Sequence, residues 1–287
     1  MQATVRGQLA YAYTGGKKID AALPSIVFIH GAANDHSVWQ LQSRHFANHG
    51  FNAIAVDLPG HGKSEGGACA SVGDYAAWIA EFLSAAGAHS AILAGHSMGS
   101  LIAIECALRS PAIVAGLALL GVALPMPVAE PLLDAARSRP ADAFDMLNLW
   151  GHGPAAKLGR SPIPGVSLVG NYRRLLEQSR AGVLLSDLTA CNNYRPTVSD
   201  LQGISCPRLI AIGMRDQMTP PKAAEAAAAQ MPGTRMACVE NVGHASMQEA
   251  PEEILQLLRD FALQVVAGAL PRARAGTASG TAPPPKK

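Results

Sequence analysis

The chain has 287 residues, of which 49% are hydrophobic and 15% are charged. This composition excludes a chain that is disordered throughout, because such chains are polar and strongly charged, and the length allows one large domain or two modest ones. The 23 Lys and Arg residues nearly balance the 21 Asp and Glu residues, and no long basic run interrupts the body of the chain, so we expect no nucleic-acid partner.

Short runs rich in Val, Ile and Leu alternate with amphipathic segments along the chain. Runs this apolar are typical of strands buried on both faces, and their alternation with helices predicts a mostly parallel sheet covered by helices on both sides. The predicted strands are 25–30, 52–56, 91–94, 114–122, 208–212 and 235–239. The helices predicted between and after them are 38–49, 71–86, 98–109, 221–231 and 251–266.

This alternation is interrupted between residue 122 and the strand that begins after Pro207. The connection is too long for an ordinary loop, and Gly and Pro residues divide it into four helix-like segments. These segments are 128–137, 141–149, 171–180 and 183–192. We interpret them as a helical lid that is inserted into the core.

The interruption and the composition of the last residues divide the chain into four parts. The C-terminal residues are mostly Ala, Gly, Pro, Thr and basic residues, which offer little to bury and therefore predict disorder. The parts are a first core part (1–122), a lid (123–205), a second core part (206–268) and a disordered tail (269–287).

The sequence contains few features that indicate a cellular compartment or a metal site. The five cysteines are odd in number and no two are spaced as CxxC, so we expect reduced thiols, no disulfide framework and no metal site. The first ten residues lack an apolar segment behind a basic start, which predicts no secretory signal and a cytoplasmic location. The apolar run 112–124 is shorter than the roughly 20 residues of a membrane-spanning helix and ends at Pro125, so we expect no membrane span.

A Gly-x-Ser-x-Gly pentapeptide, residues 95–99, directly follows the predicted strand 91–94 and precedes a predicted helix. In this position the pattern predicts a tight strand-to-helix turn, in which glycines keep side chains out of a crowded space and the hydroxyl of Ser97 is exposed. The positive end of the helix dipole then favours negative charge that develops on a reacting carbonyl. Ser97 is therefore a candidate nucleophile, and the competing interpretation is an ordinary Gly-Ser turn before a helix.

A serine nucleophile needs a base that accepts its proton and a carboxylate that orients the base. Asp216 lies just past the fifth predicted strand, and His244 lies just past the sixth. Because the carboxyl ends of parallel strands meet at one edge of a sheet, we expect Ser97, Asp216 and His244 to be neighbours there. The competing roles are a turn cap ahead of Thr219 for Asp216 and a loop histidine without catalytic work for His244.

With these residues in place, the chain resembles the α/β-hydrolases of the soluble esterase, lipase and peroxidase-like group. The resemblance runs from Ser25 to about Phe261 apart from most of the lid, and it also rests on His30-Gly31-Ala32 and on the loop 57–64, Asp-Leu-Pro-Gly-His-Gly-Lys-Ser. It implies an α/β fold with a mostly parallel, doubly wound sheet of the α/β-hydrolase type and an inserted helical lid. It also implies an oxyanion hole formed by the backbone N–H groups of Ala32 and Met98.

The resemblance and the three candidate residues predict a serine hydrolase that cleaves a small or medium carboxylic ester or thioester through an acyl-enzyme. The expected partner is a small-molecule ester, and no metal or organic cofactor is implied. Related dehalogenases and epoxide hydrolases carry Asp where this chain has Ser97, and the Gly-rich stretch of related peptidases and carbon–carbon hydrolases is replaced by Ala32-Ala33-Asn34-Asp35. A perhydrolase or peptidase activity and a slow-turnover ligand sensor stay open as alternatives.

Several large apolar residues are candidates to line an acyl pocket under the lid, although each is equally suited to the core. The candidate substrate-binding residues are Trp39, Val122, Leu124, Phe144, Trp150 and Met247. The histidines at positions 30, 61 and 96 each lie beside a glycine in a turn, so we interpret them as structural.

Overall fold

A sheet of eight strands crosses the centre of residues 1–269, the part of the chain that the computed structural model describes. In chain order the strands are β1 (Gln2–Val5), β2 (Gln8–Tyr13), β3 (Ser25–Ile29), β4 (Asn52–Val56), β5 (Ala91–His96), β6 (Val114–Leu120), β7 (Arg208–Gly213) and β8 (Arg235–Val239). Their order across the sheet is β1-β2-β4-β3-β5-β6-β7-β8. β2 is antiparallel to both of its neighbours, whereas all pairs from β4 to β8 are parallel. The predicted mostly parallel sheet is therefore confirmed.

The antiparallel hairpin β1–β2 was not predicted from the apolar runs. Its turn, Arg6-Gly7, has positive φ values of 52° and 76°, as the favoured two-residue hairpin turns require. Val5, Ala10 and Ala12 are buried, while their neighbours in these two strands are exposed or half-buried. A strand with one buried face carries no continuous apolar run, so the criterion that identified the six parallel strands did not detect this hairpin.

Helices cover both faces of the sheet. In chain order they are α1 (Gln40–Ala47), α2 (Val72–Ala85), α3 (Met98–Arg109), α4 (Glu130–Ser138), α5 (Pro140–Gly151), α6 (Pro154–Lys157), α7 (Leu168–Glu177), α8 (Val183–Asn193), α9 (Val198–Gln202), α10 (Pro221–Gln230), α11 (Ser246–Glu249) and α12 (Pro251–Val266). Each predicted helical segment overlaps one of them. The short helices α6, α9 and α11 were not predicted, because so few residues contain too little of a helical period to detect.

The side chains of β3 divide between two apolar layers. Val27 and Ile29 pack against α2 and α3, whereas Ile26 and Phe28 pack on the opposite face against α1 and α12. On that second face the ring centroids of Phe28 and Trp39 are 5.2 Å apart. Because successive residues of a strand point to opposite faces and both faces are buried here, β3 is apolar throughout.

The segment between β6 and β7 contains the six helices α4 to α9, which together are called the insertion. Four of these helices share an apolar cluster that includes Leu133, Leu147, Tyr172 and Leu188, and this cluster packs on Ala33 of the core. The insertion occupies the stretch of chain for which a helical lid was predicted.

No helix within residues 1–269 combines the length and the hydropathy that crossing a bilayer requires. The apolar run 112–124 contributes strand β6 and part of the loop after it. The predicted tail, 269–287, lies outside the described residues except for Ala269.

Candidate active site

Ser97 occupies a sharp turn between β5 and α3. Its backbone has a φ of 53° and a ψ of −118°, a conformation that residues other than glycine rarely adopt. A Cβ on Gly95 would lie 2.3 Å from the carbonyl oxygen of Gly99, and a Cβ on Gly99 would lie 2.2 Å from the carbonyl oxygen of Ile29. Both flanking positions therefore require glycine, and the turn leaves Ser97 half-buried at the carboxyl edge of the sheet.

Asp216 and His244 follow the carboxyl ends of β7 and β8 and are in direct contact. Nδ1 of His244 lies 2.8 Å from Oδ2 of Asp216, and both residues are buried. The Thr219 hydroxyl donates to the same carboxylate oxygen at 2.6 Å, and the N–H groups of Met218 and Thr219 donate to Oδ1 at 2.8 and 2.9 Å. Burial alone would raise the pKa of Asp216, but His244 and these hydrogen bonds outweigh it and hold the pKa below its usual value. Asp216 is therefore ionised and orients the Nδ1–H of His244.

The opposite ring nitrogen of His244, Nε2, is buried and has no hydrogen-bond partner within residues 1–269. The main chain of His244 is held by His96, whose Nε2 donates to the His244 carbonyl oxygen at 2.9 Å. The two rings lie 4.7 Å apart between centroids. Burial, together with the neighbouring His244, lowers the pKa of His96 to about 3, so His96 stays neutral. His96 thus holds the backbone of His244, and Nε2 of His244 is left without a hydrogen-bond partner among the described residues.

A cavity of about 400 Å³ opens over Ser97 and His244. This volume lies within the range of about 300–1,000 Å³ that is typical of small-molecule sites. Among residues 1–269, no Asp, Glu, Lys or Arg side chain lines it. Ala32 lines the cavity, whereas the side chain of Met98 is buried in the core. The segment between β6 and β7 supplies most of the apolar wall, including Met126, Val128, Leu132, Leu147, Trp150 and Leu188.

Of the six predicted substrate-binding residues, Trp150 alone lines this cavity. The prediction was wrong for the other five, which do not line the cavity and pack instead in or against the apolar clusters. They are Trp39, Val122, Leu124, Phe144 and Met247. Apolar character identified them as buried, but it does not indicate whether a core or a cavity buries them. Residues that do line the cavity without having been predicted include Asn34, Leu132, Leu147, Tyr172, Leu188 and Thr219.

Asp187, in α8, is fully buried and contacts three separate segments of the core. Its Oδ2 accepts hydrogen bonds from the N–H of Ala33 at 2.9 Å and from Nε2 of His61 at 2.8 Å, and its Oδ1 accepts one from the Tyr75 hydroxyl at 2.6 Å. Ala33 has a φ of 55° and directly follows Ala32, one of the two predicted oxyanion donors. These partners of Asp187 lie 112 to 154 residues away in the sequence, so no local pattern could mark it.

His61 forms a buried ion pair with Asp187. Nδ1 of His61 lies 2.9 Å from the carbonyl oxygen of Pro59, so both ring nitrogens face acceptors. Burial alone would lower the pKa of His61, but the charge and the hydrogen bond of Asp187 outweigh it and raise the pKa above 6.5. The insertion is therefore tied to the core by a charged contact beside the Ala32-Ala33 loop.

Within residues 1–269, one group of possible metal ligands consists of Asp35, His36 and Asp57, whose ligand atoms lie within 4.8 Å of one another. The Asp57 carboxylate already has partners, because Oδ1 accepts from the N–H of His36 and faces its Nδ1, both at 2.8 Å, and Oδ2 accepts from the N–H of Lys63 at 2.9 Å. None of the three residues lines the cavity over Ser97. We assign this group a structural role in its turn.

Comparison with known sequences identifies the family of the chain. The family model described as "Alpha/beta hydrolase family" matches residues 26–257. The chain is 28% identical over 256 residues to a pimeloyl-acyl-carrier-protein methyl ester esterase of Aromatoleum aromaticum, covering 83% of this chain and 97% of that protein. It is 27% identical over 260 residues to the esterase of the same name from Serratia marcescens, covering 82% of this chain and 92% of that protein.

Solved structures share the same architecture. The enol-lactonase from Burkholderia xenovorans matches with a TM-score of 0.80 at 20% identity, covering 92% of this chain and 100% of that one. A thermophilic esterase matches with a TM-score of 0.78 at 24% identity, covering 92% of this chain and 97% of that one. At these identities the similarity establishes the fold alone.

Proposed function

Since this chain belongs to the α/β-hydrolase family, we propose that it is a serine hydrolase that cleaves a small or medium carboxylic ester or thioester. The observation that carries the proposal is the contact of 2.8 Å between His244 and Asp216 at the cavity into which Ser97 also opens. The relatives named as esterases, one of them matched over 97% of its length, support an ester as the bond that is cleaved.

In the proposed acylation step, Oγ of Ser97 attacks the acyl carbon and its proton passes to Nε2 of His244. The imidazolium that forms is stabilised by the ionised Asp216, which also holds the ring in the required tautomer. His244 then donates the proton to the leaving alcohol or thiol as the bond to the acyl carbon breaks. The buried, partnerless Nε2 supports this assignment, because a general base needs an acceptor atom that no other group occupies.

The oxyanion of the tetrahedral intermediate would be bound by the N–H groups of Ala32 and Met98. Met98 is the first residue of α3, so its N–H has no acceptor within the helix and adds to the positive end of the helix dipole. Ala32 lines the cavity. Such donors each contribute about 10²–10³ to kcat in serine hydrolases. Asp187 acts in this proposal as a positioning residue, because it holds the N–H of the adjacent Ala33.

Deacylation reverses the roles: His244 takes a proton from water as the water oxygen attacks the acyl carbon. His244 then donates this proton to Oγ of Ser97 as the acyl–oxygen bond breaks, which releases the carboxylic acid and restores the hydroxyl. The insertion serves as the lid, residues 123–205, between core parts 1–122 and 206–268. Its apolar side chains wall the cavity and exclude bulk water from the acyl chain, which strengthens the electrostatic contacts inside.

A fluorophosphonate probe tests the proposal, because it bonds covalently to an activated serine. We expect the wild-type protein to be labelled and Ser97→Ala to be unlabelled. Ser84→Ala, which removes an exposed hydroxyl from α2, is the matched control and should label like the wild type. Hydrolysis of p-nitrophenyl esters from acetate to palmitate should show a chain-length optimum that Ser97→Ala lacks. Labelling that persists in Ser97→Ala would refute the proposal.

A further inference from the structure

Two buried polar side chains that the proposed mechanism does not use, Asn34 and Tyr172, line the cavity. Gln217 also lines it but is exposed to solvent. Asn34 is 3% exposed and Tyr172 is 7% exposed. Oδ1 of Asn34 has no hydrogen-bond partner within residues 1–269. Buried polar atoms in proteins are almost always hydrogen-bonded, because leaving one without a partner destabilises the protein. The Asn34 side chain therefore indicates a contact that a bound molecule would complete.

Tyr172 is held in place beside the cavity. Its ring packs in the apolar cluster of the insertion and meets the ring of His152 edge-on, with centroids 5.2 Å apart. Burial raises the pKa of its hydroxyl to about 12, although the nearby Asn34 side chain opposes part of this increase. The hydroxyl is therefore neutral, and together with the Asn34 amide it offers both donors and acceptors.

The remaining wall limits which ligands these two groups can recognise. In the described part of the chain no Asp, Glu, Lys or Arg side chain lines the cavity, so an ionised group on a ligand would lose its hydration without meeting a counter-charge there. A purely alkyl ligand would fill the apolar wall but would leave Asn34 without a partner. A ligand that satisfies the whole cavity is uncharged, mostly apolar, and carries one polar group.

We propose that Asn34 and Tyr172 form a subsite for one uncharged polar group, a hydroxyl or an amide, in the substrate. The inference rests on the proposed function, since it names the class of ester that the same cavity accepts. Asn34 lies in the loop after β3 and Tyr172 lies in α7, so the subsite joins the core to the insertion. A substrate that binds both side chains would link the lid to the loop that carries Ala32.

The experiment compares esters in matched pairs. One member carries a plain alkyl chain, and the other carries a single hydroxyl or internal amide. In the first series this polar group is moved stepwise along the acyl part of the ester, and in the second series along the alcohol part. We expect the wild-type protein to prefer at least one polar ester over its alkyl partner by about tenfold in kcat/KM. Tyr172→Phe and Asn34→Ala should each reduce this ratio by about three- to tenfold, since each removes one partner of the polar group.

Tyr194→Phe is the matched control, because the Tyr194 hydroxyl donates to Glu105 at 2.9 Å and does not line the cavity. It should retain the wild-type ratio. Equal ratios in Tyr172→Phe and the wild type, or no preference for any polar ester, would overturn the inference.

The failure of the proposed function would be seen separately, as the absence of Ser97-dependent hydrolysis for every ester. In that case the subsite is tested by titration calorimetry of Ser97→Ala with matched methyl ketones, which cannot be hydrolysed. Tighter binding of a polar ketone that is lost in the double variant with Tyr172→Phe supports the subsite, and equal binding of polar and alkyl ketones overturns it.

Discussion

The carboxyl edge of the sheet and the insertion both build the cavity, but they place their side chains by different means. At the edge, Ser97, Asp216 and His244 each follow a strand closely, so the position of each is set by the backbone of the sheet. In the insertion, side chains from several helices meet over the cavity, and their positions depend on how those helices pack. Backbone atoms approach each other closely at the edge, whereas side chains form the cavity wall of the insertion. The insertion has one close backbone approach of its own, at Gly153, where an added Cβ would lie 3.0 Å from the Asn241 carbonyl oxygen.

The two regions should therefore tolerate substitution unequally. A close approach of two backbones cannot relax, whereas a side chain in a packed helical layer has neighbours that can shift. Asp187 and Gly153 are exceptions within the insertion. Asp187 bonds to the backbone N–H of Ala33 as well as to two buried side chains, and Gly153 lies close to the backbone of Asn241. We expect large effects at the edge, intermediate effects at Asp187 and small effects at positions of the insertion that pack only through side chains.

Gly99→Ala has the largest expected effect, because the added Cβ would lie 2.2 Å from the Ile29 carbonyl oxygen and 2.7 Å from that of His30. We expect a loss of about 4 kcal/mol or more in the free energy of unfolding and no detectable ester hydrolysis. Urea unfolding and a p-nitrophenyl ester assay measure the two effects.

Gly151→Ala is the matched control in the insertion, where the added Cβ meets only the Met218 sulfur, at 3.9 Å. Its free energy of unfolding should stay within about 1 kcal/mol of the wild type. Equal losses in the two variants would contradict the contrast between edge and insertion.

Asp216→Asn should lower kcat by about 10³–10⁴ with the fold intact, because an amide neither stabilises the His244 imidazolium nor holds its productive tautomer. Steady-state kinetics and thermal unfolding check the two halves of this expectation. Asp134→Asn, an exposed acid of α4, should leave kcat unchanged. A fall in kcat below tenfold for Asp216→Asn would remove Asp216 from the proposed triad.

Asp187→Asn should lower kcat by about 10- to 100-fold and change KM by less than about threefold. The amide presents one acceptor oxygen where the carboxylate receives three hydrogen bonds, so the Ala33 N–H and the adjacent oxyanion donor lose their support. The affinity for a trifluoromethyl ketone, which forms a tetrahedral adduct, should fall in parallel with kcat. If the melting temperature falls while kcat is unchanged, Asp187 stabilises the packing of the insertion on the core but does not position the oxyanion donor.

The pH dependence of stability provides a control for the same variant. Since the folded pKa of His61 is raised above 6.5, the ion pair with Asp187 contributes fully below the ordinary pKa and is lost as the pH rises through the raised value. The difference in melting temperature between the wild type and Asp187→Asn should therefore be largest below pH 6.5 and shrink as the pH rises through the raised pKa of His61. A difference that is constant over this range would show that no charge on His61 is involved.

Much of the edge could be predicted because its physical causes are local in the sequence. The six parallel strands were predicted from apolar runs, and Asp216 and His244 stand out because each comes soon after one of these runs. Burial on both faces was wrong for β8, which is the outer strand of the sheet and is mostly exposed. The hairpin β1–β2 was missed because its alternation of buried and exposed residues differs from the pattern of a doubly buried strand. In the insertion the main helices were predicted, but five of the six predicted pocket residues do not line the cavity.

Amino-acid order was enough to predict the parallel sheet, the glycines around Ser97 and the chain positions of the candidate triad. Burial on both faces of a strand requires a run of apolar residues, and a tight backbone turn requires glycine, so both leave a local pattern in the sequence. Only the tertiary structure determined which buried side chains face the cavity. It also placed Asp187 beside Ala33, and Tyr172 in the same cavity wall as Asn34. The physical reason is that these contacts depend on how helices pack onto a distant part of the chain. In addition, an apolar residue that packs in the core and one that lines a cavity have the same character in the sequence.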